Sequence, residues 1–388
     1  LRRLLFICLV AALPVGVMLA HVAGIGSAKG ENRALAPFPQ MPGTLADAAH
    51  LPGKIDAYLS DHFGLRSQLI AVNGFFRWRL FGEIPHPQIT VGRNGRIFLG
   101  SHSRETPNGM LLALCGVGID EQKRRTIASD LVDSFADVLK GWPRAAWLVV
   151  PSAPTLYPED RPNWLVTTCA GATPLLPDII ARLPSALQAR ILYPLPLMRE
   201  SATLIFPKAN FHWAGEGAKV VVEPAVERLF GRNRVVDVPS VQARIAPDLA
   251  GFMPGVRLRS HISAPDYART GIRICDGSMC FPAARDALAV LEDVRVVSRD
   301  ESGPRLLVLS DSFGSAAAGY FGEYYREVWQ VSLNNVSRLS DSQRAAFRAE
   351  ILDRFKSDDV LFLYHDGGWN NLANAARFVS GQRKPGAD

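Results

Sequence analysis

The apolar run Leu306-Leu307-Val308-Leu309 stops on Ser310-Asp311-Ser312-Phe313-Gly314, so a strand ends on a polar group just ahead of a helical stretch. A turn of this kind lifts a hydroxyl above the sheet edge, and the first N–H groups of the helix can stabilise an oxyanion beside it. A serine is a weak nucleophile until a base takes its proton, so a histidine within hydrogen-bond reach is the minimum companion. Asn210-Phe211-His212-Trp213 supplies one, in a loop that opens a second helical stretch. Taken singly, Ser312 fits a helix cap and His212 a structural histidine. Together they point to acyl transfer, with Ser312 as nucleophile and His212 as base.

Such residues need a scaffold that brings distant loops to one edge. Five apolar stretches read as strands, at residues 145–150, 190–195, 305–309, 327–333 and 360–364. Helical spacing marks 121–140, 174–188, 213–230 and 341–355 between them. This alternation predicts an α/β fold with a doubly wound, mainly parallel five-stranded sheet. Ligands in such sheets bind beyond the carboxyl ends of the strands. Ser312, His212 and the loop His365-Asp366-Gly367-Gly368-Trp369-Asn370 can all reach that edge. Ahead of the sheet, residues 54–81 have the spacing of one or two amphipathic helices, and Arg93-Asn94-Gly95 between two short β-prone runs signals a hairpin. Residues 235–299 break the pattern and read as an irregular insertion.

The chain of 388 residues is 48% hydrophobic, enough for a packed core. Arg2 and Arg3 precede an apolar run over residues 4–25, long enough as a helix to cross a hydrocarbon core of ~30 Å with the amino terminus inside. Gly26-Ser27-Ala28 also resembles a signal-peptide cleavage site. The expected organisation is therefore an anchor or signal peptide at 1–28, a Pro/Gly/Ala-rich linker at 29–53, one catalytic domain at 54–380 and a polar tail at 381–388. In either case the domain is exported, which sets nucleic acid aside as a partner for the net charge of +6. Cys115, Cys169, Cys275 and Cys280 follow the apolar run, and Cys8 lies within it. Three disulfide pairings are open; a turn closed by Cys275 and Cys280 would leave Cys115 with Cys169. A zinc site would need clustered CxxC pairs or histidines, and neither is present, so no metal or cofactor is expected.

Ser310-Asp311-Ser312-Phe313 resembles the Gly-Asp-Ser block of the SGNH hydrolase superfamily, and Asn210-Phe211-His212-Trp213 its Asp-x-His-Trp block. The histidine comes first here, the circularly permuted order of the periplasmic alginate O-acetyltransferase family. Asp61-His62-Phe63-Gly64-Leu65-Arg66, Val91-Gly92-Arg93-Asn94-Gly95-Arg96-Ile97-Phe98, Val149-Val150-Pro151 with Tyr157-Pro158-Glu159, and Asp248-Leu249-Ala250 are similar to that family in the same order. The resemblance implies acetyl transfer to hydroxyls of an exported polysaccharide through an acetyl-Ser312 intermediate. It also implies an acetyl donor from a membrane-bound O-acyltransferase, and a single-pass inner-membrane anchor with the domain in the periplasm.

Two positions depart from that pattern. Ser310 replaces a glycine, and Asn210 stands where the family has the Asp that orients the imidazole; an amide can do this only if its carbonyl faces Nδ1. The loop after the last strand offers Gly367, Gly368 and Asn370 for the oxyanion, with Asn370 as the side-chain donor or a helix cap; Trp213 and Trp369 read either as platforms for sugar rings or as core. Three functions compete on this reading: a polysaccharide O-acetyltransferase, an acetyl-esterase of the same fold, and a non-catalytic carbohydrate-binding or scaffold subunit, which Asn210 would suit.

Overall fold

The structure, a computed structural model, describes residues 36–62, 66–291 and 293–381, without the side chains of Arg66, Trp369 and Asn370. The expected anchor at 1–28, Cys8 and the tail from 382 lie outside the described residues. Among the described residues no helix is long and apolar enough to cross a membrane.

Among the described residues three sheets are present. Strands β1 (Ile89–Val91) and β2 (Ile97–Leu99) form a hairpin in which Ile89 faces Leu99. Asn94 at φ 54° and Gly95 at φ 72° make its turn, the left-handed pair that Asn-Gly adopts at low steric cost. The central sheet contains β3 (Ala145–Val150), β4 (Ile191–Leu192), β7 (Arg273–Asp276), β8 (Val294–Ser298), β9 (Arg305–Ser310), β10 (Glu327–Ser332) and β11 (Asp359–His365). Between β4 and β7 in the chain, β5 (Ser240–Ile245) and β6 (Ser260–Pro265) pair with each other in a separate antiparallel hairpin.

The central sheet has seven strands in the order β4-β3-β11-β9-β10-β8-β7, not the five expected. The five expected strands form its parallel part, and β8 and β7 extend it antiparallel. Their sequence hides them: β7 is an edge strand, mostly exposed, and carries Arg273 and Asp276, so it lacks an apolar run. The insertion at 235–299 therefore contributes two strands and a hairpin rather than only irregular chain.

Because side chains alternate along a strand, the sheet has two cores. Leu306, Val308, Leu361, Leu363, Leu148 and Val150 pack on one face, and Leu307, Leu309, Val360, Phe362, Trp147 and Val149 on the other. Helices α3 (Glu121–Gly141) and α6 (Trp369–Ser380) cover the second face, with Ile127, Leu131, Phe135 and Val138 at three- and four-residue spacing along α3. Phe135 stacks on Trp147 at 4.0 Å, which makes this face aromatic at its centre. Helices α4 (Glu216–Phe230) and α5 (Phe313–Phe321) cover the first face through Val221, Val222, Ala317 and Ala318. The expected doubly wound arrangement is thus present.

Among the described residues two helices precede β1, α1 (Leu45–Asp61) and α2 (Arg66–Phe81). The first begins inside the expected linker, because Thr44 Oγ1 accepts the Asp47 N–H and caps it. Gly74 lets α2 press against the main chain of the insertion, where a Cβ would lie 2.1 Å from the Pro254 oxygen.

The disulfides are Cys115–Cys169 and Cys275–Cys280, closing loops of 54 and 5 residues. Loop-closure entropy gives about 4 kcal/mol for the first and about 2 kcal/mol for the second. Replacing Cys115 and Cys169 by alanine is therefore expected to lower unfolding free energy roughly twice as much as replacing Cys275 and Cys280. Urea unfolding of the two double variants measures this, and an equal or reversed order would contradict the entropic account.

Candidate active site

Ser312 follows β9 and opens α5 with helical angles, φ −62° and ψ −16°, and its side chain makes no capping bond to that helix. The hydroxyl turns instead to His212, with Oγ 2.8 Å from Nε2. His212 Nδ1 lies 2.7 Å from Asp248 Oδ2. A carboxylate only accepts, so Nδ1 carries the ring proton and Nε2 is left to accept from the serine. Ser312, His212 and Asp248 thus form one continuous chain of hydrogen bonds, with the serine and histidine half-buried at the carboxyl edge of the parallel strands.

The partner of His212 Nδ1 is Asp248, not Asn210. The Asn210 N–H donates to the Pro207 carbonyl in a tight turn, and its side chain, 5% exposed, is buried with Oδ1 unpartnered. Two residues on, His212 emerges toward Ser312, so the amide sits behind the loop while the imidazole sits in front.

Asp248 comes from the connection between β5 and β6, where it opens the short turn Asp248–Phe252. Its Oδ1 accepts the Phe211 N–H and its Oδ2 the His212 N–H, both at 2.8 Å. The approach is possible because Gly215, at φ +55°, has no side chain: a Cβ there would lie 2.1 Å from the Ser263 oxygen of β6. Leu249 and Met253, both buried, anchor the same connection in the core beneath α4 and α5. Sequence reading singled out Asp248-Leu249-Ala250 as a motif, but nothing local could pair it with a histidine 36 residues away.

A second carboxylate fixes the serine turn. Asp311 Oδ1 accepts the Phe313 N–H at 2.9 Å, while Oδ2 accepts from the His365 main chain at 2.8 Å and from His365 Nδ1 at 2.7 Å. The His365 ring stacks on Phe313 at 4.9 Å with its planes 11° apart, and its Nε2 is buried without a partner among the described residues. Gly367 and Gly368 pack around this ring rather than standing free at the edge. A Cβ at 367 would lie 3.0 Å from His365 Nε2, and one at 368 would lie 3.0 Å from His365 Cε1. Their role in the structure is close approach, which explains two glycines in succession.

Trp213 is in the core, 2% exposed, and donates from Nε1 to the Phe313 carbonyl at 2.9 Å. It cannot stack on a sugar; it ties the histidine loop to the serine helix. The side chains of Trp369 and Asn370 lie outside the described residues. Ser312 stands at the start of α5, and main-chain N–H groups at a helix start are donors that can stabilise an oxyanion.

His102, from the loop after β2, was not singled out by sequence and stands beside the site. Its ring centroid is 5.8 Å from Phe211 and 5.7 Å from His365. Part of the ring is open to solvent, but burial of the rest, followed by His365, lowers its pKa. It therefore remains neutral where an ordinary histidine begins to charge, and adds no positive charge against His212 near neutral pH. Among the described residues no cluster of His, Cys, Asp or Glu could hold a metal ion.

No family model and no curated protein matches this chain. Among solved structures it is similar to a DHHW family protein from Eubacterium siraeum, with 14% identity, TM-score 0.45, and coverage of 67% of this chain and 88% of that one. It is similar to the O-acetyltransferase domain of Pseudomonas putida AlgJ, at 13% identity and TM-score 0.42, over 75% of this chain and 99% of that one. It is also similar to Pseudomonas aeruginosa AlgX, at 13% identity and TM-score 0.40, over 76% and 68% respectively.

Asp248→Asn is expected to slow covalent labelling of Ser312 by a fluorophosphonate by about 10³- to 10⁴-fold, since the imidazole loses the acceptor that sets its tautomer. Asn210→Ala should leave the rate near that of the wild type. A comparable loss in the two variants would return the orienting role to position 210.

Proposed function

We propose that this protein is an O-acetyltransferase acting on hydroxyls of an exported polysaccharide through an acetyl-serine intermediate at Ser312. The observation that carries this reading is the unbroken Ser312–His212–Asp248 chain at the carboxyl edge of the sheet. In the first half-reaction Ser312 Oγ forms a bond to the acetyl carbonyl carbon while His212 Nε2 takes the hydroxyl proton. The oxyanion collapses, the bond to the donor's leaving group breaks, and His212 returns the proton to that group. In the second, a sugar hydroxyl gives its proton to His212 and attacks the acetyl-serine. Ser312 leaves and recovers the proton. Asp248 orients the ring throughout and stabilises its charged form.

In this reading the donor is an acetyl group passed on by a membrane-bound O-acyltransferase. The domain stands in the periplasm, held at the inner membrane by the apolar segment near the amino terminus or released from it after cleavage. Asp248 rather than Asn210 on His212 supports this reading over the non-catalytic alternative. Transfer and ester hydrolysis share the acyl-serine and differ in whether a sugar hydroxyl or water takes the acetyl group.

The full chain incubated with a chromogenic acetate ester and quenched in acid should show one added acetyl group by intact mass, mapped to Ser312. Ser312→Ala should lose both the adduct and the ester turnover, a fall of about 10⁴-fold or more. Adding an oligosaccharide acceptor should speed loss of the adduct and yield acetylated sugar. Equal ester turnover by wild type and Ser312→Ala would sink the proposal, and release only to water would leave the esterase.

A further inference from the structure

Two guanidinium groups meet in a cleft that the Ser312–His212–Asp248 chain does not use. It lies along the same carboxyl edge, beyond β3, β4 and β11, where Thr155, Arg161, Tyr193, Arg199 and Asp366 face an apolar wall that includes Leu176. The Asp366 carboxylate is 2% exposed. It accepts from the Ser152 N–H at 3.0 Å, Ser152 Oγ at 2.5 Å, Thr155 Oγ1 at 2.6 Å and Tyr193 OH at 3.3 Å. Four donors saturate the lone pairs of a carboxylate, so Asp366 is not left to pair with either arginine.

The arginines are under-used. Arg161 donates from Nε to the Pro154 carbonyl at 2.7 Å, and Arg199 from one Nη to the Thr155 carbonyl at 3.3 Å. Each guanidinium has five N–H donors, so most of both forks lack an acceptor among the described residues. Burial lowers the Arg161 pKa most; Asp366 opposes that, the like charge of Arg199 lowers it further, and Tyr193 and Glu159 oppose it more weakly. An anion between them would relieve that repulsion and satisfy the idle donors.

The walls are fixed in advance. Cys115, one of the lining residues, is bound to Cys169. Arg124 donates to the Gly116 and Thr173 carbonyls at 3.3 and 3.0 Å and to Asp178 at 2.9 Å, locking the two segments that flank the cleft. A rigid cleft loses little freedom when it takes a ligand.

We propose that this cleft is a carboxylate-binding subsite in which Arg161 and Arg199 hold the carboxylate of a sugar acid while the apolar wall takes the face of its ring. The carboxylate part stands on the two guanidiniums alone; the sugar part rests on the proposed function. Adjacent residues join the two places: His365 packs on Asp311 beside Ser312, and Asp366 lies under the cleft. A polymer unit gripped here would direct its neighbours along the edge toward the serine.

The test is calorimetric titration of the full chain carrying Ser312→Ala with glucuronate, glucose and acetate at low salt. Glucuronate is expected to bind at least about tenfold more tightly than glucose or acetate, to weaken as salt rises, and to lose about tenfold in Arg161→Gln and in Arg199→Gln. Arg199 is exposed, so its variant decides the matter even if thermal melting shows Arg161→Gln to be unfolded. Equal binding of glucuronate and glucose, or undiminished binding in Arg199→Gln, overturns the subsite. Acetate binding as tightly as glucuronate overturns its assignment to a sugar acid. Because Ser312→Ala forms no acyl-serine, these outcomes are separate from the fate of the acyl-transfer reading.

Discussion

The Asp248 carboxylate organises the site. It accepts the main-chain N–H groups of Phe211 and His212 and the ring N–H of His212, so one ionised group fixes a loop and orients the imidazole carried on it. Hydrogen bonds to a charged acceptor are worth about 1.5–3 kcal/mol each, more than the net value of neutral ones. This arrangement requires the β5–β6 connection to lie against the histidine loop. Gly215, whose missing side chain lets the Ser263 carbonyl approach, and Leu249 and Met253, buried in the core, keep it there.

The serine is held by a separate device of the same kind. Asp311 binds the N–H of Phe313 on one side and two donors of His365 on the other, which ties the start of α5 to the end of β11. Phe313 then serves both halves of the site: its ring stacks on His365, and its carbonyl accepts from Trp213. The distance of 2.8 Å between Ser312 and His212 is therefore the meeting of two loops, each braced by its own carboxylate and tied to the other through Trp213, rather than the reach of two flexible side chains. Such bracing is what a proton-transfer geometry needs, because a small misplacement is costly in rate.

The same edge is built from carboxylates turned inward onto loop donors. Asp248, Asp311 and Asp366 each take main-chain N–H groups that would otherwise be left without partners as the loops fold over the strand ends. This use of the acidic groups leaves Arg161 and Arg199 as cations without an ion-pair partner among the described residues, which gives the cleft its character.

Much of this was legible in the chain. Strands β3, β9 and β11 are near-continuous apolar runs buried on both faces, the pattern that sequence reports most clearly, and the Asn-Gly turn and the Ser312 strand end are local signals of local geometry. His212 was legible as a partner for Ser312 because residue type limits which groups can serve as a base. Edge strand β7 was not, since an edge strand with one polar side shows no such run. Trp213 could be read as a sugar platform or as core, and packing decided for core. The orienting acid was misplaced for a related reason: position 210 is close to His212 in sequence, but its turn buries the side chain behind the loop. Periodicity and chemical type were enough to mark the parallel strands and to bring Ser312 and His212 forward as candidates for one site. Only the tertiary structure decided that Asp248 completes the chain and that Arg161 and Arg199 share one cleft, because both depend on segments far apart in sequence packing against the same sheet edge.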